Sequence, residues 1–235
     1  MEKQYIDTLN AIITNHFRET ENLKILEAGC GSVSHIKVKS NWLITGIDIS
    51  QKQLDRNKRL SEKICADIQN YPLNKELFDI VISWYVLEHV KNPRKAMANF
   101  INTLQSNGLL IIALPNLWSI KGIVAKLTPT IVHIWFYKYI LKNESAGKDD
   151  VGPFKTYLKL DISPRNMKKF ALKHNLEVIH FNYSTVTGMF EKIKKNVIAH
   201  IFMKIIGGIF WILSFGKIKE KETEFLMVLK KLPET

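Results

Sequence analysis

Ile25-Leu26-Glu27-Ala28-Gly29-Cys30-Gly31 joins a short apolar run to a turn with two glycines one residue apart. A second apolar run, Ile44-Thr45-Gly46-Ile47-Asp48, ends on a carboxylate. Glycines at such a turn let backbone approach a ligand without an intervening Cβ. A carboxylate at the tip of the neighbouring strand, 17 residues beyond Gly31, can accept both hydroxyls of a ribose. Together the two runs predict a nucleoside site at the switch point of an open sheet. The stretch Gly29-Cys30-Gly31-Ser32-Val33-Ser34 lacks the third glycine of a dinucleotide fingerprint. A plain tight turn beside a surface Asp is the competing reading.

Working outward, apolar runs alternate with amphipathic segments, as in βα units whose parallel strands are buried on both faces. Strands are predicted at 23–28, 42–48, 63–66, 78–83 and 109–114, and helices at 33–39, 51–60 and 93–105. Asn92 and Pro93 suit the N-cap and first position of the last of these helices. Ile6, Leu9, Ile12, Ile13 and Phe17 fall at helical spacing and predict a leading helix. This is the pattern of a doubly wound α/β sheet. After Pro115, residues 117–160 read as irregular, aromatic and basic, with a polar break at 143–150. A helix is then expected from Ser163-Pro164 to about residue 174, followed by strands at 176–183 and 225–229. Roughly forty residues separate the last two strands, far more than a hairpin needs, and they include the apolar segment 197–215.

The 235 residues are 46% hydrophobic and 24% charged, which supports a full core and excludes collagen, coiled-coil and low-complexity classes. Lys and Arg exceed Asp and Glu by 12, favouring an anionic neighbour: a membrane surface, nucleic acid or a phosphorylated substrate. Cys30 and Cys65 form no CxxC pair and lie near no histidine at metal-ligand spacing, so a reducing compartment and no metal are expected. The opening residues 1–7 lack a basic, apolar secretory signal, and a cytoplasmic location is expected. His200, Lys204 and Gly207-Gly208 make 197–215 a poor membrane-spanning helix.

The chain resembles the class I S-adenosylmethionine-dependent methyltransferases, in particular the branch of quinone and sugar O-methyltransferases. The matching pieces are Leu26-Glu27-Ala28-Gly29-Cys30-Gly31, Gly46-Ile47-Asp48-Ile49-Ser50, Ala66-Asp67-Ile68 and Phe78-Asp79-Ile80-Val81-Ile82-Ser83. They continue with Val86-Leu87-Glu88-His89-Val90, Asn107-Gly108-Leu109-Leu110-Ile111-Ile112 and Pro115-Asn116. The resemblance covers 20–116 well and 160–185 weakly. It implies a Rossmann-like, mostly parallel seven-stranded sheet with an antiparallel last strand, carrying helical insertions. On that reading residues 1–116 hold a leading helix and the cofactor-binding part, and 117–160 form a substrate or cap insertion. Residues 161–187 return to the sheet, 188–217 form an apolar helical insertion, and 218–235 supply the last strand and C-terminus.

The resemblance implies S-adenosylmethionine as cofactor and S-adenosylhomocysteine as product. Glu27, Gly29 and Gly31 would surround the methionine and sulfonium end, Asp48 the ribose hydroxyls, and Ile49 would pack on the adenine. Asp67 would accept from the adenine amino group, the Ile68 N–H would face a ring nitrogen, and Ser83 and Trp84 would border the methionine moiety. Val33 departs from the pattern where many members carry a third glycine. His89 is the expected general base for a hydroxyl acceptor, because an imidazole titrates near neutrality; ordering the turn into the next helix is its alternative role. Glu88 and His89 supply too few ligands for a metal.

Ser83-Trp84-Tyr85-Val86 stands where base-amine methylases carry Asn/Asp-Pro-Pro-aromatic, which disfavours nucleic acid as acceptor. Tyr71-Pro72-Leu73-Asn74-Lys75 matches the Tyr-x-x-x-Lys of short-chain dehydrogenases only formally, since Pro72 places it on a loop. The acceptor is expected to be a small or lipid-linked molecule chosen by the two insertions. Asn196, His200, Lys204 and Gly207-Gly208 form a narrow polar stripe on an apolar helix flanked by lysines, which suggests a cap touching the membrane surface through 188–217. An accessory core or a homodimer interface remains an open alternative for it, as do a non-catalytic nucleoside-binding scaffold and a nicotinamide-dependent oxidoreductase for the whole chain.

Overall fold

In a computed structural model, residues 2–18, 22–36, 39, 41–140, 142–184 and 222–233 are described, with isolated positions between 201 and 212. Five parallel strands form first: β1 (Lys24–Ala28), β2 (Leu43–Asp48), β3 (Glu62–Cys65), β4 (Phe78–Trp84) and β5 (Leu104–Pro115). β6 (Leu176–Ser184) and β7 (Glu224–Lys231) complete a sheet of order β3-β2-β1-β4-β5-β7-β6. β7 runs antiparallel to both of its neighbours, with Leu110 opposite Leu229 and Leu176 opposite Lys231. The chain order reverses between β1 and β4, where Leu26 faces Val81, so the switch point lies beside the glycine turn.

Alternate residues of each strand enter two cores, which is why the strands read as continuous apolar runs. Leu26, Val81, Leu110 and Phe225 pack with Phe100 and Met167 on one face. Ile25, Ile44, Ile80, Ile82 and Ile111 pack with Leu9 and Ile13 on the other. Those two belong to α1 (Glu2–His16) and lie one turn apart, so the leading helix turns a single apolar edge to the sheet. Phe100, fully buried on α3 (Pro93–Thr103), anchors the opposite layer; truncation to Ala would cost about 3–5 kcal/mol. The Asn92 side chain accepts from the Lys95 N–H, with Pro93 at the first position, as the sequence predicts.

Three segments differ from expectation. The described part of 33–39 is not helical: the His35 N–H donates to Glu27 Oε1, and serines flanking Val33 favour such non-helical turns. α2 (Gln51–Arg56) stops short of residue 60 because Asn57 caps it, its own side chain accepting from the Arg59 N–H. The segment expected to be irregular contains α4 (Ile120–Leu127), α5 (Thr130–Trp135) and a π-helical turn, Phe136–Ile140. Helix α6 (Pro164–Lys173) leads into β6 as expected. The apolar segment 197–215 lies almost wholly outside the described residues.

Candidate active site

The ends of β1, β2 and β4 open onto a cleft of about 800 Å³. Gly29 begins its floor at φ +72°, and a Cβ there would come within 2.4 Å of Val86 Cγ1. Only glycine lets the turn after β4 close against the turn after β1. Gly31, at φ +55°, would place a Cβ no nearer than 4.0 Å to Gln53 Oε1, so conformation rather than crowding favours glycine there. Its N–H donates to Asp48 Oδ2 at 2.9 Å, while the Ser50 N–H donates to Oδ1 at 2.9 Å. An ionised carboxylate offers about four acceptor sites, so Asp48 keeps two for a ligand after being fixed by backbone.

Glu27 lies beneath this turn, 2% exposed. Its Oε1 accepts from His35, and its Oε2 has no partner among the described residues. Burial pushes the Glu27 carboxyl above its ordinary value, against the pull of the nearby Ser34 hydroxyl and then of the His35 N–H. Ser83 Oγ, at the end of β4, is likewise buried and unpartnered among the described residues. Trp84 stacks on His35 at 5.6 Å between ring centroids and borders the cleft. Cys30 also borders it, but burial, then Asp48 and Glu27, push its thiol up to about 12, so it stays protonated and unreactive.

On the far side, a 3-10 turn (Leu87–His89) presents His89. Its Nδ1 bonds the Lys155 carbonyl at 2.9 Å; a carbonyl only accepts, so Nδ1 carries the proton and Nε2 holds the lone pair of the neutral ring. Burial lowers the His89 pKa, so the neutral ring dominates near pH 7. The first insertion supplies the roof. Asp149 pairs with Lys52 and accepts from Arg56 through its carbonyl, while Asp150 accepts from Ser50 Oγ at 2.7 Å and from the Gln53 side chain. Farther along, the N–H groups of Tyr157 and Leu158 both donate to the Glu88 carbonyl. Residues 149–158 therefore form a strap from α2 to the His89 turn, with Asp150, Phe154 and Tyr157 on the cleft wall.

Of the residues expected from sequence, Gly29, Gly31, Asp48, Ile49, Trp84 and His89 meet on this wall. Glu27 and Ser83 stand directly behind it. Asp67 and Ile68 are not on it: the Asp67 carboxylate accepts from Gln69 and Asn70 of its own loop, and Ile68 is buried with its carbonyl bonded to Asn99. Sequence reasoning did not single out Gln53, Tyr85, Asp150 or the strap. The run Lys148-Asp149-Asp150 is a charge signal, but nothing local ties it to α2.

Residues 26–112 match the methyltransferase domain family. That match runs from β1 into β5. The chain is 31% identical over 106 residues to an uncharacterized protein of Methanocaldococcus jannaschii, an alignment covering 45% of the chain and 47% of that protein. The chain thus spans about half the length of that relative. It is 25% identical to a ubiquinone biosynthesis O-methyltransferase of Rickettsia canadensis, over 73% of the chain and 79% of the relative. An S-adenosylmethionine-dependent methyltransferase structure from Methanosarcina mazei superposes with a TM-score of 0.57 at 14% identity, covering 95% and 98% of the two chains. The cleft's residues fit S-adenosylmethionine. Asp48 has spare acceptor sites for a diol, and the orphaned Glu27 Oε2 suits the cationic end.

Proposed function

We propose that the chain transfers a methyl group from S-adenosylmethionine to a hydroxyl of a small or lipid-linked acceptor. The observation that carries this reading is Asp48, fixed by Gly31 and Ser50 with acceptor sites to spare in a cleft whose other half is aromatic. When bound, the cofactor supplies an already activated methyl group, so the protein's tasks are alignment and exclusion of water. Asp48 would hold the ribose, Glu27 and Ser83 would receive the amino-acid end, and Ile49 would cover the adenine. His89 would accept the acceptor's proton at Nε2, its ring oriented by the Lys155 carbonyl. The aromatic walls Trp84, Tyr85, Phe154 and Tyr157 favour a planar or lipophilic acceptor. The name of the Rickettsia canadensis relative agrees with oxygen as the methylated atom.

Calorimetric titration with S-adenosylhomocysteine, followed by labelled-methyl transfer to 3,4-dihydroxybenzoate and to lipid extracts, tests the reading. No heat with S-adenosylhomocysteine but binding of nicotinamide dinucleotide would transfer the fold to the oxidoreductase reading. Cofactor binding without turnover on any extract would favour the scaffold.

Membrane contact is the second reading, and it has its own support. Ile131, Trp135 and Tyr139 follow one another at four-residue spacing and are more than half exposed, with Lys138 alongside. Ile201, Ile205 and Ile212, described positions of the 188–217 insertion, are exposed as well. No helix among the described residues is long and apolar enough to cross a membrane, and the contact proposed is a peripheral one. Flotation with anionic vesicles, with and without residues 188–217, decides between lipid and a homodimer interface; equal partitioning of both chains would remove 188–217 as the contact.

A further inference from the structure

Glu224 opens β7 and is 4% exposed, a carboxylate removed from water. Burial of that kind persists only where hydrogen bonds satisfy the charge. Tyr85 Oη donates to its Oε2 across 139 residues of sequence. Antiparallel β7 makes this meeting: its first residue pairs with Pro115 at the end of β5, and the Tyr85 N–H bonds the Ala113 carbonyl on the same edge. Tyr85 holds φ +55°, a left-handed conformation rare outside glycine, on the residue directly after β4. Backbone of this sort concentrates where a side chain is aimed for function. The residue also lines the cleft, beside Val86 and the Gly29 turn. Tyr137, from the π-helical turn, faces Glu224 too: burial and the Glu224 charge both hold its phenol above the ordinary range. Among the described residues, Tyr85 and Tyr137 are thus two titratable groups facing this carboxylate, one of them on the cleft wall.

We propose that Tyr85 is a catalytic residue and that Tyr85 and Glu224 form a proton relay for the acceptor hydroxyl. A phenolic oxygen can donate one hydrogen bond and accept another, so a tyrosine hydroxyl can stand between a hydroxyl and a carboxylate. As the acceptor oxygen attacks, its O–H proton passes to Tyr85 Oη, and the Tyr85 proton passes to Glu224 Oε2. The O–CH3 bond forms while the S–CH3 bond breaks, its electron pair neutralising the sulfonium to a sulfide. The carboxylate ends protonated and later returns its proton to water. In the relay Tyr85 takes the place given above to His89 as the proton's first acceptor, and His89, tied to the strap, orients the acceptor. The proposal rests on the O-methyl transfer reading above.

The test uses the full chain saturated with S-adenosylhomocysteine and 4-nitrocatechol, a planar hydroxyl probe whose ionised form is coloured differently. On the wild-type protein the Glu224 charge should hold the bound probe's midpoint above its solution value. Glu224→Gln should move that midpoint down by about one pH unit, Tyr85→Phe, which removes the phenol's hydrogen bond to the ionised probe, should move it up, and each should lower kcat on 3,4-dihydroxybenzoate by about 100-fold. KM for the cofactor should stay unchanged. Unaltered S-adenosylhomocysteine affinity shows that each variant is folded; if Glu224→Gln fails this check, Tyr85→Phe decides. Wild-type midpoint and kcat in Tyr85→Phe would overturn the relay while leaving the methyltransferase reading intact. A cofactor-loaded protein that does not bind the catechol would overturn the relay, whereas absent cofactor binding would overturn the underlying reading.

Discussion

Replacing Asp48 with Ala separates the cofactor role proposed for this carboxylate from its structural one. In the protein alone, the side chain accepts from two backbone N–H groups at 2.9 Å, of Gly31 and Ser50. Hydrogen bonds to a charged group contribute about 1.5–3 kcal/mol each. These two donors are partly open to water, which takes over as a partner, so the stability loss should fall near the low end, about 1–3 kcal/mol. The two hydroxyls of a bound ribose would lose bonds of the same kind, together about 3–6 kcal/mol, or roughly 10²–10⁴ in affinity. Calorimetry with S-adenosylhomocysteine and urea unfolding of the same preparations read the two quantities independently. An affinity within about threefold of wild type, alongside the expected drop in stability, would show that the carboxylate merely shapes the turn.

Glu27→Gln keeps the oxygen that accepts from His35 and removes a buried charge, so the free protein should gain roughly 1 kcal/mol in urea while S-adenosylhomocysteine binding weakens. Asp149→Ala with Asp150→Ala should cost less than about 1 kcal/mol of stability, because the Lys52 pair is well exposed, yet should speed S-adenosylhomocysteine release in stopped flow by roughly tenfold. His89 has a folded pKa below its unfolded value, so the unfolded state binds more protons as pH falls through about 6.5. Stability should therefore fall on the acid side of that pH, and His89→Gln should flatten the loss in unfolding titrations compared at about pH 7.5 and about pH 5.5. Gly29→Ala forces a Cβ into Val86 at positive φ and should destabilise by about 2–4 kcal/mol, visible as a lowered urea midpoint.

The glycine-turn half of the cleft was legible because its signals are local. A buried parallel strand excludes polar residues at nearly every position, so β1, β2 and β4 announced themselves, and Asp48 stands beyond an unbroken run. Residues 33–39 misled because helical spacing competes there with a tertiary bond: the Glu27 carboxylate claims the His35 N–H. β5 starts at Leu104, earlier than its apolar run: Leu104 pairs with Phe78, and the register then shifts before Leu109 pairs with Ile80. Asp150 meets Ser50 across 100 residues, and Glu224 meets Tyr85 across 139. Neither meeting leaves a periodicity or spacing to read, because both depend on where the insertion returns and on the register of an antiparallel strand. Asp67 shows the reverse case, a residue with the right position in the pattern whose carboxylate is already engaged within its own loop.

The strap joins the two ends of the cleft in a single piece of chain. Its grip on α2 relies on exposed polar contacts that water can replace, whereas its other end is fixed by main-chain bonds to Glu88. Were the segment to open at α2, it would pivot on the His89 side and uncover the Asp48 end of the cleft first. For the proposed reaction, donor exchange and acceptor departure would share one door, and the pace of its opening, rather than bond making at sulfur or oxygen, would set how fast the enzyme cycles.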